Sequence, residues 1–287
     1  MVLSIYSVIA YSVIALMAFA ANSLLCRMAL VDGAIAPLPF TLIRMISGAL
    51  LLSLLIRPSK LEFNNMINIK RAKTAWLSAI SLSIYAFAFS WAYLEMDTGV
   101  GALVLFATIQ IVLNIVAQLL GHKTNKLTVL GILIAFTGLA ILLLPGQSAP
   151  NFSAAAIMML AGLGWAGFVY SGRNSQQPLK DVAIAFRWSL LWCLPLVLLT
   201  NWQGSSLEGI ILACISGTLA SALGYALWYK VLPELGLQNA AQVQLVVPVF
   251  AMMMGVFFLS EQLSTILLAA SALILIGITL AIRSKKA

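Results

Sequence analysis

Long apolar runs alternate with short polar segments throughout the sequence. Two of the clearest runs, residues 127–144 and 266–282, contain no charged residue. An α-helix needs about 20 mostly apolar residues to cross the hydrocarbon core of a bilayer, whereas barrel strands alternate apolar and polar residues over about ten positions. The unbroken runs therefore predict transmembrane α-helices.

This pattern predicts an all-α integral membrane protein with ten transmembrane helices. The segments between the runs are short, so we expect no soluble domain and no long linker. The predicted spans are residues 3–30, 38–56, 74–94, 99–121, 127–145, 151–172, 181–200, 207–229, 237–259 and 264–282.

Composition supports a surface that faces membrane lipid. Only 8% of the 287 residues are charged, against about 25% in soluble proteins. The net charge of +8 does not indicate nucleic-acid binding, because the basic residues lie in the gaps between runs and form no basic face. The three cysteines lie within apolar runs at no metal-ligand spacing, so we expect no metal, no cofactor and no disulfide framework.

The distribution of Lys and Arg predicts the orientation. With a cytoplasmic N-terminus, thirteen basic residues fall in cytoplasmic gaps or termini and one, Arg27, falls outside. Cytoplasmic loops of membrane proteins carry an excess of Lys and Arg. We therefore expect a multi-pass protein of the cell inner membrane with both termini in the cytoplasm, either a monomer or a homodimer.

The chain is predicted to be a duplicated five-helix unit, with repeats at residues 1–145 and 151–287. Arg44 matches Arg187 at a shift of 143 residues, and Gly138 matches Gly277 at a shift of 139. A near-constant shift is the signature of an internal repeat. Because five is odd, the second repeat is inverted, as in many carriers whose substrate sites lie between the halves near the midplane.

The fourth predicted span carries three amides, Gln110, Asn114 and Gln118, at positions i, i+4 and i+8. This spacing puts the three side chains on one helix face. Because unpaired amides are costly in lipid, we expect that face to contact protein or a water-filled cavity.

A second set of amides lies in the ninth predicted span: Gln238, Asn239, Gln242 and Gln244, followed by Pro248. A proline weakens the helical hydrogen bonds there and is expected to bend the helix. Amides of this kind either join neighbouring helices or line a substrate path, and for the two sets together we favour the path. The candidate substrate-binding amides are Gln110, Asn114, Gln242 and Gln244, which suit a neutral or zwitterionic solute.

Two aromatic residues, Tyr85 and Trp165, lie near the middle of their runs, where an interfacial role is weak. We expect both to line a cavity. The alternative for Trp165 is a close helix contact, because Gly162, Gly164 and Gly167 lie beside it.

Arg44 and Arg187 are the charged residues within spans. An arginine at the centre of a membrane helix costs about 2.5–3.5 kcal/mol on insertion scales, so both require partners. Structural bracing is the favoured role, with capture of a substrate carboxylate as the alternative. The candidate partners are Asp32 or Asp97 for Arg44, and Asp181 or Glu234 for Arg187.

Several segments resemble the EamA-like family of the drug/metabolite transporter superfamily. They are Phe19–Leu30, Phe40 with Arg44, Trp165–Phe168, and Val247–Phe250 followed by Ser260–Gln262. The resemblance covers the whole chain as two halves, although Ile111 and His122 depart from the pattern in the first. Many family members carry a tryptophan at the position of Asn22, and Trp165 keeps that tryptophan in the second half of this chain. Asn22 is therefore also a candidate substrate-binding residue. The family implies ten helices in inverted halves around a cavity open to one side at a time, and export of amino acids and related metabolites.

The sequence thus predicts a transporter that exports a small neutral or zwitterionic metabolite, such as an amino acid, by alternating access. All eight acidic residues fall in gaps or at span ends, so we expect no obligatory proton relay in the membrane interior. Uptake or exchange of a nucleotide-like metabolite is the alternative within transport. An intramembrane enzyme is disfavoured because no histidine lies within a span and no catalytic residues can be assigned. A scaffold would leave the amide stripes unexplained.

Overall fold

The computed structural model describes residues 4–58, 72–119, 126–142 and 151–283. Within these ranges the chain is helical apart from short turns and contains no strand. The helices are α1 (Ile5–Val31), α2 (Pro37–Leu55), α3 (Lys73–Ala92), α4 (Thr98–Leu119), α5 (Lys126–Leu142), α6 (Phe152–Gly172), α7 (Pro178–Leu199), α8 (Leu207–Ile215), α9 (Gly224–Gln244), α10 (Val246–Leu259) and α11 (Thr265–Arg283). A π-helical segment, π1 (Ser216–Leu223), joins α8 to α9.

The all-α membrane class predicted from the sequence is confirmed. Because α8, π1 and α9 form one continuous run, the described residues contain ten helical runs in the predicted order. Seven are long and apolar enough to span a membrane, and shorter apolar stretches lie in α5, α10 and α11. Side chains such as Leu54, Leu198 and Phe257 are at least 77% exposed, as expected where a helix faces lipid.

Local capping groups determine several helix starts. The Ser4 side chain accepts a hydrogen bond from the Ser7 N–H at the start of α1, and Ser206 accepts one from the Gly209 N–H at the start of α8. Such caps satisfy N–H groups that have no partner within the helix. Pro37 begins α2, where the missing N–H of proline is not needed.

The predicted ninth span, residues 237–259, contains a break. α9 continues to Gln244 and α10 begins at Val246. Pro248 explains the break, because without an N–H it cannot donate to the carbonyl of Gln244, four residues before it.

α9 changes direction along its length. Tyr225 and Gln244 both contact Trp165, with ring centroids 4.8 Å apart and a distance of 3.2 Å between Trp165 Nε1 and Gln244 Oε1. A straight helix would separate residues so far apart in sequence by about 28 Å. α9 therefore bends sharply between them, and Pro233 lies within the bend.

One end of the bundle is basic. Arg57, Lys73, Arg173 and Lys180 lie at or near the helix ends of α2, α3, α6 and α7, and we call this the basic end. The Arg187 side chain reaches the same end, because its Nη1 atom donates to the Ile56 carbonyl at 3.0 Å.

The opposite end is held by a network that we call the latch: Arg27, Asp97, Thr98 and Glu261. The Glu261 carboxylate accepts hydrogen bonds from the Thr98 N–H at 2.8 and 3.0 Å and from the Thr98 hydroxyl at 2.7 Å. Arg27 Nη2 lies 3.4 Å from Asp97 Oδ1. These contacts join the ends of α1, α4 and α10.

Candidate functional site

Arg44 is the buried charge at the centre of the bundle, with a side chain on α2 that is 1% exposed. Its Nε atom donates to Ser221 Oγ at 3.0 Å, and its Nη2 atom donates to the hydroxyls of Tyr85 at 3.2 Å and Tyr225 at 2.7 Å. The rings of Tyr85 and Phe89 lie 5.1 and 5.2 Å from the guanidinium carbon. The Nη1 atom is buried and has no hydrogen-bond partner among the described residues.

Asn22 of α1 joins the same residues. Its Nδ2 atom donates to Tyr225 at 3.2 Å, to Tyr85 at 3.3 Å and to Ser221 at 3.4 Å. Its Oδ1 atom accepts a hydrogen bond of 2.5 Å from Ser216. One amide therefore connects α1 with α3, π1 and α9.

Trp165 of α6 forms the aromatic side of the site. Its ring centroid lies 4.9 Å from that of Tyr85, 4.8 Å from that of Tyr225 and 5.2 Å from that of Phe19. Its Nε1 atom donates to Gln244 Oε1. We call Asn22, Arg44, Tyr85, Trp165, Ser216, Ser221, Tyr225 and Gln244 the central cluster.

Small residues bring these helices close enough to form the cluster. A Cβ atom on Gly164 would lie 2.5 Å from the backbone nitrogen of Tyr85, so α3 and α6 meet where no larger residue fits. Gly217 of π1 abuts the Arg44 carbonyl in the same way. The close helix contact considered for the glycines around Trp165 is thus present, together with the contacts of Trp165 itself. π-helical segments are frequent at functional sites.

The predicted partners of Arg44 are wrong. The Arg44 side chain donates to hydroxyl groups and is in salt-bridge contact with neither Asp32 nor Asp97, since Asp97 pairs with Arg27. Asp32 caps the end of α1 and Asp97 belongs to the latch. Within the described residues, the positive charge of Arg44 is therefore surrounded by neutral dipoles and ring faces.

The structure brings five of the candidate residues together: Asn22, Arg44, Tyr85, Trp165 and Gln244. The others lie elsewhere or are not described. Gln110 and Asn114 are buried in α4, where Asn114 Nδ2 donates to the Gln110 carbonyl at 2.8 Å. Arg187 binds the end of α2. The side chain of Gln242 lies outside the described residues.

Comparison with known proteins identifies the family. The model of the EamA-like transporter family matches residues 152–283. An uncharacterized protein of Pseudomonas aeruginosa is 41% identical over 270 residues, which cover 94% of this chain and 92% of the relative. The chain belongs to the EamA-like transporter family.

Other similarities agree with a place in the drug/metabolite transporter superfamily. A protein of Archaeoglobus fulgidus described as an uncharacterized transporter is 24% identical over 213 residues, covering 73% of this chain and 76% of the relative. A crystal structure with a TM-score of 0.61 and 16% identity covers 96% of this chain and 98% of the other, and it shows the shared fold. Members of the EamA-like family are membrane transporters, so the coarse prediction of a transporter is confirmed.

Sequence reasoning missed part of the central cluster of this EamA-like protein. Tyr225 lies 140 residues after Tyr85, close to the shift of the predicted repeat, so that prediction could have indicated it. Ser216 and Ser221 carried no such signal, because serines are common in membrane helices and only the π1 geometry aims them at Asn22 and Arg44.

A cavity of about 400 Å³ opens at the basic end of this EamA-like protein. Ser78, Arg173, Asp181, Trp188 and Tyr229 are among the residues that line it, whereas none of the candidate residues with described side chains does. Ser78 precedes Tyr85 by about 10 Å along α3, and Tyr229 follows Tyr225 by about 6 Å along α9. The helices that carry the tyrosine pair therefore also border the cavity.

Electrostatics distinguish the latch from the central cluster. Burial raises the pKa of Glu261 above its ordinary value, and the hydrogen bonds from Thr98 oppose that rise. The carboxylate faces the first N–H of α4, where a helix favours negative charge. The latch thus contains charges of both signs, while the central cluster contains the single cation of Arg44.

Proposed function

We propose that this protein exports a small neutral or zwitterionic metabolite, such as an amino acid, by alternating access. The observation that carries the proposal is the composition of the central cluster. Asn22, Arg44 and Tyr85 come from residues 1–145, whereas Trp165 and Tyr225 come from residues 151–287. A polar site shared by two halves near the middle of the membrane is typical of secondary carriers.

Helix packing supports two inverted repeats as part of this proposal. α3 packs on α6. An inverted repeat would relate this contact to the packing of the α8–π1–α9 run on α1. α4 packs on α6 as α10 packs on α1, while α5 packs on its own counterpart, α11. Gly138 of α5 contacts Ile274, and its counterpart Gly277 contacts Ala135. Reciprocal contacts of this kind are those that a pseudo-two-fold axis produces.

The break between α9 and α10 supports a substrate site at the central cluster. Gln244 ends α9 inside the membrane and is fully buried against Trp165. Carriers often form their sites from discontinuous helices, whose free backbone groups bind the solute or ion. Such a break is tolerated in lipid only where the backbone is enclosed by protein or faces water.

The orientation that fits export puts the basic end in the cytoplasm of a bacterial-type inner membrane. The cavity bordered by Ser78 and Tyr229 then faces the cytoplasm, from which an exporter takes its solute. The latch faces outward and holds α1, α4 and α10 together. An exporter closed on the outside and open on the inside is one of the two states that alternating access requires.

Efflux from loaded proteoliposomes tests the proposal. The protein is reconstituted and vesicles are loaded with an amino-acid and nucleotide panel, with and without a pH gradient. We expect protein-dependent efflux of at least one amino acid, without a requirement for the gradient, and slower efflux with Asn22→Ala. Asn201→Ala, in an exposed loop, is the matched control. Flux of nucleotides alone, or no protein-dependent flux, contradicts the proposal.

A further inference from the structure

We propose that Arg44 forms a carboxylate-binding subsite, and that this subsite selects solutes carrying a carboxylate over otherwise identical cations. The inference rests on the proposed function, because it assumes that the central cluster is where the solute binds. It adds the chemical class of that solute and the atom that recognises it. The geometry points to Arg44 Nη1, which is buried and finds no hydrogen-bond partner in the part of the chain that the structure describes.

Charge balance is the first argument. The guanidinium is 1% exposed, and its contacts are Tyr85, Tyr225, Ser221 and the ring of Phe89, all of them neutral. A buried cation without a counter-ion is strongly unfavourable in a medium of low dielectric constant. A solute carboxylate would supply the missing negative charge, whereas an ammonium group alone would add a second positive one.

The count of donors and acceptors is the second argument. Nη1 carries two N–H groups, and no described residue accepts a hydrogen bond from either of them. The hydroxyl oxygens of Tyr85 and Tyr225 accept from Arg44 and Asn22 and lie 3.4 Å from each other. One tyrosine hydroxyl can donate to the other across this distance. These contacts then provide no acceptor for the hydroxyl hydrogen of the second tyrosine. The described site therefore offers spare donors, which a carboxylate satisfies.

Preorganisation is the third argument. Some nitrogens of the Arg44 side chain hold the helices together, while another is left to bind the solute. Nε and Nη2 are held by Ser221 and the two tyrosines, so the plane of the guanidinium is fixed. Nη1 is the remaining corner of that plane. A ligand that meets a donor already held in place loses less conformational entropy on binding. Arg44 thus holds the helices together through Nε and Nη2, and its Nη1 atom remains for the solute carboxylate.

The test compares solutes that differ only at the carboxylate or the amine. Alanine, leucine and phenylalanine are each paired with their amide and with the corresponding acid that lacks the amine. Binding to the purified full-length protein is measured by calorimetry and by ligand-induced thermal stabilisation. In at least one series we expect the carboxylate-bearing members to bind at least about tenfold more tightly than the amide, because the amide loses a charge-assisted hydrogen bond. Amides that bind as tightly as the amino acids, or carboxylates that bind in none of the series, overturn the inference.

Three variants locate the effect. Arg44→Gln is expected to abolish the preference for the acid, and Arg44→Lys is expected to retain a weakened preference because it keeps the charge but not the planar fork. Arg187→Gln removes an intramembrane arginine outside the central cluster and is the matched control, with the preference unchanged. If Arg44→Gln does not fold, the comparison of solutes on the wild-type protein still decides the inference. A preference that survives Arg44→Gln contradicts it.

Flux measured on the same solutes separates this inference from the proposed function. Efflux of an amino acid and its amide at equal rates supports a transporter and overturns the carboxylate subsite. Selective binding of carboxylates without protein-dependent flux supports the subsite and overturns export.

Discussion

The hydroxyl of Tyr225 connects two polar side chains of the central cluster. It accepts hydrogen bonds from Arg44 at 2.7 Å and from Asn22 at 3.2 Å, and the ring packs against Trp165. Removing the hydroxyl would leave two buried donors with weaker partners, while the aromatic packing would remain. This residue therefore separates the hydrogen-bonding contribution from the packing contribution.

We expect Tyr225→Phe to lower the stability of the protein by roughly 1–3 kcal/mol, because the buried donors Arg44 Nη2 and Asn22 Nδ2 each lose their shortest hydrogen bond. Thermal unfolding in detergent micelles measures the effect as a lower Tm. Tyr6→Phe is the matched control, because Tyr6 is 82% exposed on α1. Equal melting temperatures for wild type and Tyr225→Phe would mean that the hydroxyl has no net role in the cluster.

Glu261 makes the contribution of the latch to protein stability depend on pH. Its pKa is raised mainly by burial, so the folded protein binds this proton more tightly than the unfolded chain does. The Glu261 contribution to stability is therefore most favourable below the ordinary Glu pKa and decreases as the pH rises through the raised value. The affected window begins near pH 4.5, the ordinary value, and extends upward.

Glu261→Gln is expected to flatten the dependence of Tm on pH in that window, since glutamine does not titrate. Melting curves of the purified protein across pH 4 to 7 measure it, with Glu208→Gln at the start of α8 as the control. An unchanged pH profile in Glu261→Gln would assign the dependence to other groups.

The break between α9 and α10 depends on one backbone atom. Pro248 lacks the N–H that would donate to the Gln244 carbonyl, and the helix ends at Gln244. The broken segment holds Gln244 against Trp165. If this discontinuity is part of the transport site, a continuous helix would displace Gln244.

Pro248→Ala restores the missing donor and is expected to slow transport severalfold while leaving the fold stable, or making it more stable. Initial efflux rates and Tm, measured on the same preparation, test both parts. Pro195→Ala is the matched control, because Pro195 also lies inside a helix, α7, but its side chain is exposed. Equal slowing by both variants would indicate a general effect of proline removal.

The helical architecture was predictable because lipid imposes a strong physical constraint. Chains in hydrocarbon must satisfy their backbone groups internally, so apolar runs such as that containing Leu139 in α5 had to become helices. The predicted order and type of the elements are confirmed. The sequence did not show that Pro233 bends α9 without ending the helix, or that the effect of Pro248 falls four residues earlier, at Gln244.

The partners of Arg44 could not be predicted from sequence. Composition and charge indicated a carboxylate, whereas the structure supplies hydroxyls from α3, π1 and α9. Those contacts depend on helix crossings set by Gly164 and Gly217, and on the π-helical turn. Spacing within one helix predicted a face for Gln110 and Asn114, but it gave no information about which other helix that face meets.

The molecule as a whole combines a central cluster formed by residues from both predicted repeats, a cavity at the basic end and a latch at the other end. The most direct test is an experimental structure of the protein with its transported solute bound. We expect density for the solute in contact with Arg44 Nη1, within the central cluster. Density confined to the basic-end cavity, or to the Gln110 face of α4, would contradict it.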